Sequence, residues 1–339
     1  MKNLHKKLGC KHRFWVKFGG RRRKCKICGQ TWRTYRHKRG RGRKRENQIF
    51  GKYISGGLPT LAYYAKQKKV SARSLSYRLE KQREVFIKRT LWPEIPKGPL
   101  ILIADAFLHQ IQHEWHTTYL VLVRSITADK AIILPPYFAP GKEGVINWYK
   151  ALEQIPPEAR ERVKALVSDG HRGTVTYAKS YDWVLQRCTF HLLAAMQGRR
   201  SRRKYSFHRD EGNLIYELTR SILIEIDPVK FSRLLSELEA LGWQTKSKQL
   251  KTIVSGFVRW VDNYRSWLIY PKLELPDTSN SAESMIGIFE KFHSRSHGFK
   301  SVQSLEKWVI AILKYRQEIF CRPKKNNQIN FFRPRSSLL

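Results

Sequence analysis

The chain has 339 residues, with 66 Lys and Arg against 27 Asp and Glu and a formal net charge of +39 at pH 7. A hydrophobic content of 41% with ten Trp excludes a disordered basic tail protein, and no apolar run approaches the roughly 18 residues of a membrane helix. A folded chain this basic repels itself unless a polyanion offsets the charge, so nucleic acid is the expected partner. The basic N-terminus has no apolar stretch behind it and is not a secretory signal; a soluble cytoplasmic protein is expected.

Nineteen of the basic residues precede Glu46, the first acid. Inside this arm, Cys25-Lys-Ile-Cys28 followed by Gly29 has the pattern of a zinc knuckle. Two thiolates two residues apart reach one tetrahedral ion, and glycine gives the turn its positive φ. Cys10-Lys-His12 supplies the other half, with His37 and His5 as alternatives to His12 for the fourth ligand. A segment so short and basic needs a metal to fold. One structural zinc on Cys10, His12, Cys25 and Cys28 is therefore expected, with Arg21, Arg22 and Arg23 between the halves as DNA contacts. The five cysteines, an odd number, argue against a disulfide framework. The linker over residues 36–45, with Arg41, Arg43 and Arg45, suits phosphates or a minor groove.

Residues 58–83 predict a helix-turn-helix. A first helix begins at Pro59 and turns Leu61, Ala62 and Ala65 inward. Residues 68–70 make the turn, and Ser71 caps a second helix in which Leu75 and Leu79 repeat at i, i+4. Arg73, Ser74, Tyr77 and Arg78 then lie on the exposed side, where a groove-reading helix carries its contacts.

From residue 99 the pattern changes. A buried strand over 100–104 ends at Asp105; strands over 118–126 and 131–134 follow, then a helix over 143–155 stopped by Pro156 and Pro157. A strand over 163–168 ends at Asp169-Gly170, and one more is expected over 183–188. The order is β-β-β-α-β-α-β, with an aspartate at the C-terminal end of the first and fourth strands. Strand ends are where ligand groups converge in such sheets. Two aspartates there repel unless a cation lies between them, and carboxylates clamping two Mg²⁺ or Mn²⁺ ions are what phosphodiester chemistry uses. The third acid is expected from a helix beginning near Asn280. Glu283 is the candidate, against a reading in which Asn280-x-x-Glu283 is only a capping box; Glu290 is the fallback.

Asp105, Ser168-Asp169-Gly170, Cys188-Thr-Phe-His191 and Ser279-Asn-Ser-Ala-Glu283 together resemble a DDE transposase. The likeness is to the bacterial insertion-sequence branch related to Mutator-like elements. It implies an α/β catalytic core with a mixed, ribonuclease H-like sheet and an α-helical insertion, behind an N-terminal zinc ribbon and helix-turn-helix. It further implies that Asp105, Asp169 and Glu283 bind two Mg²⁺, with Cys188 and His191 beside them. The implied partners are double-stranded DNA, both transposon ends and target, and a second copy in a homodimer; the setting is the nucleoid of a prokaryote. The block at Gly170-His-Arg-Gly173 departs from the most familiar members.

The expected organisation is 1–46 ribbon and linker, 47–95 helix-turn-helix, and 99–197 first catalytic part. Then come 198–276 helical insertion, 277–320 C-terminal catalytic helices and 321–339 basic tail. Apolar stripes at Leu214, Leu218 and Ile222, and from Phe231 to Leu241, form the insertion's core. A last helix carries Leu305, Trp308, Ile312 and Tyr315. Two other functions fit parts of this pattern: a non-catalytic DNA-binding regulator descended from a transposase, and a ribonuclease H-like nuclease.

Overall fold

The computed structural model describes residues 13–19, 22–33, 49–56, 60–200, 208–296, 298–299 and 301–321. Cys10 and His12, the alternatives His5 and His37, and Arg21, Arg41, Arg43 and Arg45 lie outside the described residues, as do Pro59, residues 201–204, His297, Lys300 and the tail beyond 321. The chain divides into two compact units, Met1–Lys52 and Tyr53–Leu339.

The first unit holds a three-stranded antiparallel sheet of β1 (Trp15–Lys17), β2 (Arg22–Cys25) and β3 (Thr31–Arg33), in that order. Cys25 closes β2 and is buried. The Cys25–Cys28 turn folds back through Gly29 at φ +70, whose N–H donates to Cys25 O at 3.0 Å, while Cys25 N donates to Gln30 O at 2.8 Å. The Arg23 guanidinium lies 3.4 Å from the centre of the Trp15 ring.

In the second unit, α1 (Leu61–Gln67) is capped by Thr60, and α2 (Ala72–Arg89) by Ser71, whose hydroxyl accepts from Ser74 N at 3.1 Å. Ala65, Leu75 and Leu79 are buried between them. Ala62, expected inward, is exposed. A seven-residue helix buries a single stripe through Ala65, and Ala62 lies about 100° around from Leu61 on that stripe. The end of α2 is tied to the last helix, α13 (Val302–Arg316), where the Lys314 ammonium donates to Ile87 O at 2.9 Å and Thr90 O at 2.6 Å. These are carbonyls a helix terminus leaves unpaired.

The mixed α/β core is a seven-stranded sheet of order β10-β6-β5-β4-β8-β9, with β7 on β5. Its strands are β4 (Leu100–Ile111), β5 (Glu114–Ser125), β6 (Lys130–Ile133), β7 (Tyr137–Pro140), β8 (Val163–Ser168), β9 (Val184–Arg187) and β10 (Glu318–Phe320). Strands β4, β5 and β6 run antiparallel as a meander, while β8 and β9 run parallel to β4. Two expectations are corrected. The first strand does not stop at Asp105 but continues to Ile111, because its far half is paired residue by residue with β5. Strands β7 and β10 were not expected; they are short edge pieces made by pairing with β5 and β6 rather than by an alternating pattern of their own.

Alternation along β4 sorts the two faces. Leu100, Leu102 and Ala104 join the core with Trp148 and Leu152 of α3 (Val145–Glu153) and Tyr177 and Ala178 of α5 (Arg172–Ser180). The short α4 (Pro157–Arg160) leads into β8. On the other face, Phe107 and His109 pack against Phe289 of α12 (Asn280–Arg295). Helix α3 starts at Val145, so Glu143 precedes it instead of opening it, as expected; Gly144 is its N-cap.

A helical layer interrupts the core: α6 (Thr189–Arg200), α7 (Arg209–Ile224), α8 (Pro228–Gln244), α9 (Lys248–Arg259), α10 (Val261–Tyr264) and α11 (Ser266–Ile269). Its core joins Leu192 and Met196 to Ile215, Leu218, Ile222, Leu238, Val254 and Phe257. Leu214 and, in α13, Tyr315 are exposed, unlike their expected inward placement, while Leu218, Ile222, Leu305, Trp308 and Ile312 of the same stripes are buried. Among the described residues no helix is long and apolar enough to cross a membrane.

Candidate active site

Strand register brings the first two acids together. In the parallel pair β4·β8, Ile103 is opposite Val167. Asp105 and Asp169 each follow by two residues, on the face that α12 covers. Neighbouring strands are about 4.8 Å apart, so the two residues fall at neighbouring positions of the sheet although 64 positions separate them in sequence, and Asp169 acts on the charge of Asp105. Asp105 lies midway along β4 and is buried, its Oδ1 accepting from Ala106 N at 2.8 Å. Asp169 sits just past the end of β8, where its Oδ1 accepts from His171 N at 2.8 Å.

The two glycines of Gly170-His-Arg-Gly173 have separate reasons. Gly170 has φ +90, and a Cβ there would lie 2.0 Å from the Arg187 side chain. Gly173 opens α5 against Trp148, whose Cβ a methyl group would meet at 2.8 Å. The His171 ring caps this helix by accepting from Gly173 N at 3.0 Å.

The third acid returns to the sheet through hydrogen bonds made by the end of β9. Buried Gln186 donates to Tyr264 O at 3.0 Å and accepts from Trp267 N at 2.9 Å. Thr189 N donates to Asp277 O at 3.0 Å, and Ser279 N donates to the Cys188 sulfur at 3.2 Å. Buried Arg124 fixes the approach from behind by donating to Glu274 O and to Ala128 O. Helix α12 then starts with Ser279, not Asn280, as N-cap, so the capping box weighed against Glu283 as a site residue is not formed. Ser279 Oγ instead bonds Glu283 Oε1 at 3.1 Å, so the carboxylate turns toward the sheet. Glu290, two turns along, is exposed.

These placements load Asp105 electrostatically. Burial pushes its carboxyl up from 3.8 to about 7; His191 opposes the rise, and Asp169 and Glu283 add to it. Its Oδ2 is buried without a hydrogen-bond partner. His191, on α6, is raised to about 9, chiefly by the Cys188 sulfur beside it, with Asp105 and Glu283 contributing against burial. Its Nδ1 is 3.5 Å from Glu283 Oε1. Asp105 therefore lies within electrostatic reach of His191, Asp169 and Glu283, with one buried carboxyl oxygen that has no hydrogen-bond partner. Hard divalent cations fit such an oxygen donor set.

Three participants were not identified from the sequence. Glu143 lies close enough to Asp169 and His191 to feel both, and burial raises its carboxyl; it accepts from Trp148 Nε1. It escaped notice by being assigned to a helix it only precedes. Arg187 donates to Gly170 O at 3.5 Å and lies against Tyr264. Ser279 has no signal of its own beyond the polar run before α12.

In the first unit Cys25 and Cys28 share one turn, and Arg22 and Arg23 lie on β2. On α2, Arg73, Tyr77 and Arg78 are exposed and Ser74 is half-buried, with the Lys81 ammonium 4.5 Å from the Tyr77 ring. No protein-family model matches the chain, and no curated protein matches it.

Proposed function

We propose that this protein is a DNA transposase whose N-terminal modules bind element ends and whose three acids cut and join DNA strands. The observation that carries the reading is the adjacency of Asp105 and Asp169 in the β4·β8 register, with Glu283 near enough to raise the Asp105 carboxyl. The strand order supports it. Numbering the core strands β4, β5, β6, β8 and β9 as one to five, their order in the sheet is 3-2-1-4-5, with the second antiparallel. That order is compatible with a ribonuclease H-like core that has a helical layer inserted before the third acid.

Asp105, Asp169 and Glu283 would hold Mg²⁺ or Mn²⁺. Bound there, the ions supply an activated water or 3′-OH and neutralise charge on the leaving oxygen. The chain's own groups have definite tasks. Asp105, buried and near neutrality in its proton affinity, releases its proton when a cation is taken up. The imidazolium of His191 offers positive charge to a scissile phosphate. Arg187, fixed against Gly170, sets the turn that presents Asp169. Cys25 and Cys28 belong to a zinc ribbon with Cys10 and His12, and Arg73, Ser74, Tyr77 and Arg78 read a groove. Two ends must be held together, so the working form is a homodimer.

The test uses the full chain and a duplex carrying the DNA that flanks the reading frame. Asp169→Ala should abolish Mg²⁺-dependent cleavage and joining while leaving binding to the duplex nearly intact. Retained cleavage, or loss of binding as well, would overturn the reading.

A further inference from the structure

Three side chains from separate elements meet beside Asp105: Cys188 just after β9, His191 on α6 and Glu283 on α12. A ligand atom from each lies within 4.8 Å of the other two. Glu283 Oε1 is 3.5 Å from His191 Nδ1 and 3.7 Å from Cys188 Sγ. A tetrahedral ion with bonds of about 2.0–2.3 Å holds its ligand atoms about 3.3–3.8 Å apart. Both edges thus already have the length an ion requires.

The surroundings suit the same use. His191 Nδ1 is buried and makes no well-aligned hydrogen bond. The Cys188 sulfur accepts the Ser279 N–H at the start of the 16-residue α12, which fixes its position. Ser279 Oγ orients Glu283, the kind of outer contact that fixes a ligand carboxylate. Sulfur, imidazole and carboxylate together select zinc, cobalt or cadmium over magnesium.

We propose that Cys188, His191 and Glu283 form a further metal site, for a thiophilic divalent cation of the zinc class. Binding forms three metal–ligand bonds and releases the sulfur and imidazole protons to solvent. The fourth position stays open to water or a phosphate oxygen. The site needs only the geometry above; its consequence rests on the transposase reading. An ion here draws Glu283 away from Asp105 and Asp169, so zinc inhibits the magnesium-dependent reaction.

The test is cobalt titration of the full chain carrying Cys10→Ser, Cys25→Ser and Cys28→Ser, which removes the N-terminal thiolates. The expected result is one tightly bound Co²⁺ with a thiolate-to-cobalt charge-transfer band in the near ultraviolet. Adding Cys188→Ser should remove the band. Because a buried cysteine change can unfold the chain, His191→Ala, at a half-exposed position, provides a second measurement and should weaken cobalt binding by at least the roughly 10- to 100-fold that loss of an outer contact costs. Absence of the band, its survival in Cys188→Ser, or unchanged affinity in His191→Ala would overturn the site. Magnesium-dependent cleavage by the wild-type chain is scored separately. Cleavage without the band sinks the metal site alone, and the band without cleavage sinks the transposase reading alone.

Discussion

Asp105 and Asp169 stand side by side because each follows its partner in the Ile103·Val167 pair by two residues. Their surroundings nevertheless differ. β4 runs on past Asp105 to Ile111, walling it in, whereas β8 ends at Ser168 and leaves Asp169 on a turn beside Gly170. One carboxyl is buried in the sheet and its neighbour is at its opening. The buried one bears the electrostatic penalty of the group.

That penalty is measurable without any activity. An acid raised from 3.8 to about 7 in the folded state binds more protons folded than unfolded. Its contribution is therefore most favourable below about pH 4 and is lost as the pH rises to about 7. Fully charged, it destabilises the metal-free protein by about 4 kcal/mol at most. Asp105→Asn should thus raise the melting temperature at pH 8 in chelator, and the advantage should vanish near pH 4. Mg²⁺ should stabilise the wild type and leave the variant unmoved. A variant that melts lower than wild type at pH 8 would show that Asp105 is satisfied by partners within the protein.

His109 titrates in the opposite sense. Burial lowers it from 6.5 to about 4, helped by His293 and His116, and its only polar contact among the described residues is Thr118 Oγ1 at 3.2 Å. The unfolded chain takes up a proton near pH 6.5 that the folded chain refuses until about pH 4, so stability falls across that window by about 3 kcal/mol. His109→Phe keeps the ring contacts with Phe107 and Phe289 and should flatten this acid limb. Denaturant midpoints at pH 7 and pH 4.5 decide it; an equal drop in both proteins would assign the limb to other groups.

How much of this was readable in the sequence depends on range. The apolar run at 100–104, the strand at 163–168 and the Ser71 cap are local patterns, and they recur in the fold at nearly the expected residues. What failed is set by pairing partners, in the next strand or far along the chain. The extension of β4 comes from β5, and β10 exists because Gln317 turns at φ 58 to bring 318–320 onto β6. Glu283 was legible as an acid, but a capping box and a site residue look alike in sequence. The difference is Ser279, whose hydroxyl occupies the carboxylate and whose N–H is taken by Cys188, 91 residues away.

Packing at the glycines separates two causes of glycine use. Gly173→Ala must push a methyl group against the buried Trp148, and overpacking of this kind costs about 1–3 kcal/mol. Gly256, inside α9 with open space around it, should behave in reverse, with alanine stabilising by about 0.5–1 kcal/mol through helix propensity. Chemical denaturation of the two variants checks the pair, and a destabilised Gly256→Ala would mean that the outer surface of α9 is covered by something in solution.

The groove-reading role proposed for α2 predicts a division of labour between charge and specificity. Arg73 and Arg78 are exposed, and each phosphate they neutralise adds close to one to the slope of log affinity against log salt. Arg78→Ala should therefore weaken binding to every duplex and reduce that slope by about 1. Tyr77 carries no formal charge and is held by Lys81. Tyr77→Ala should leave the slope unchanged and narrow the difference between end DNA and unrelated DNA, by about 1–3 kcal/mol if it meets a base edge. Salt titrations of both variants on both duplexes separate the two effects. If neither substitution changes slope or discrimination, α2 does not enter a groove, and end recognition belongs to the basic arm that precedes it.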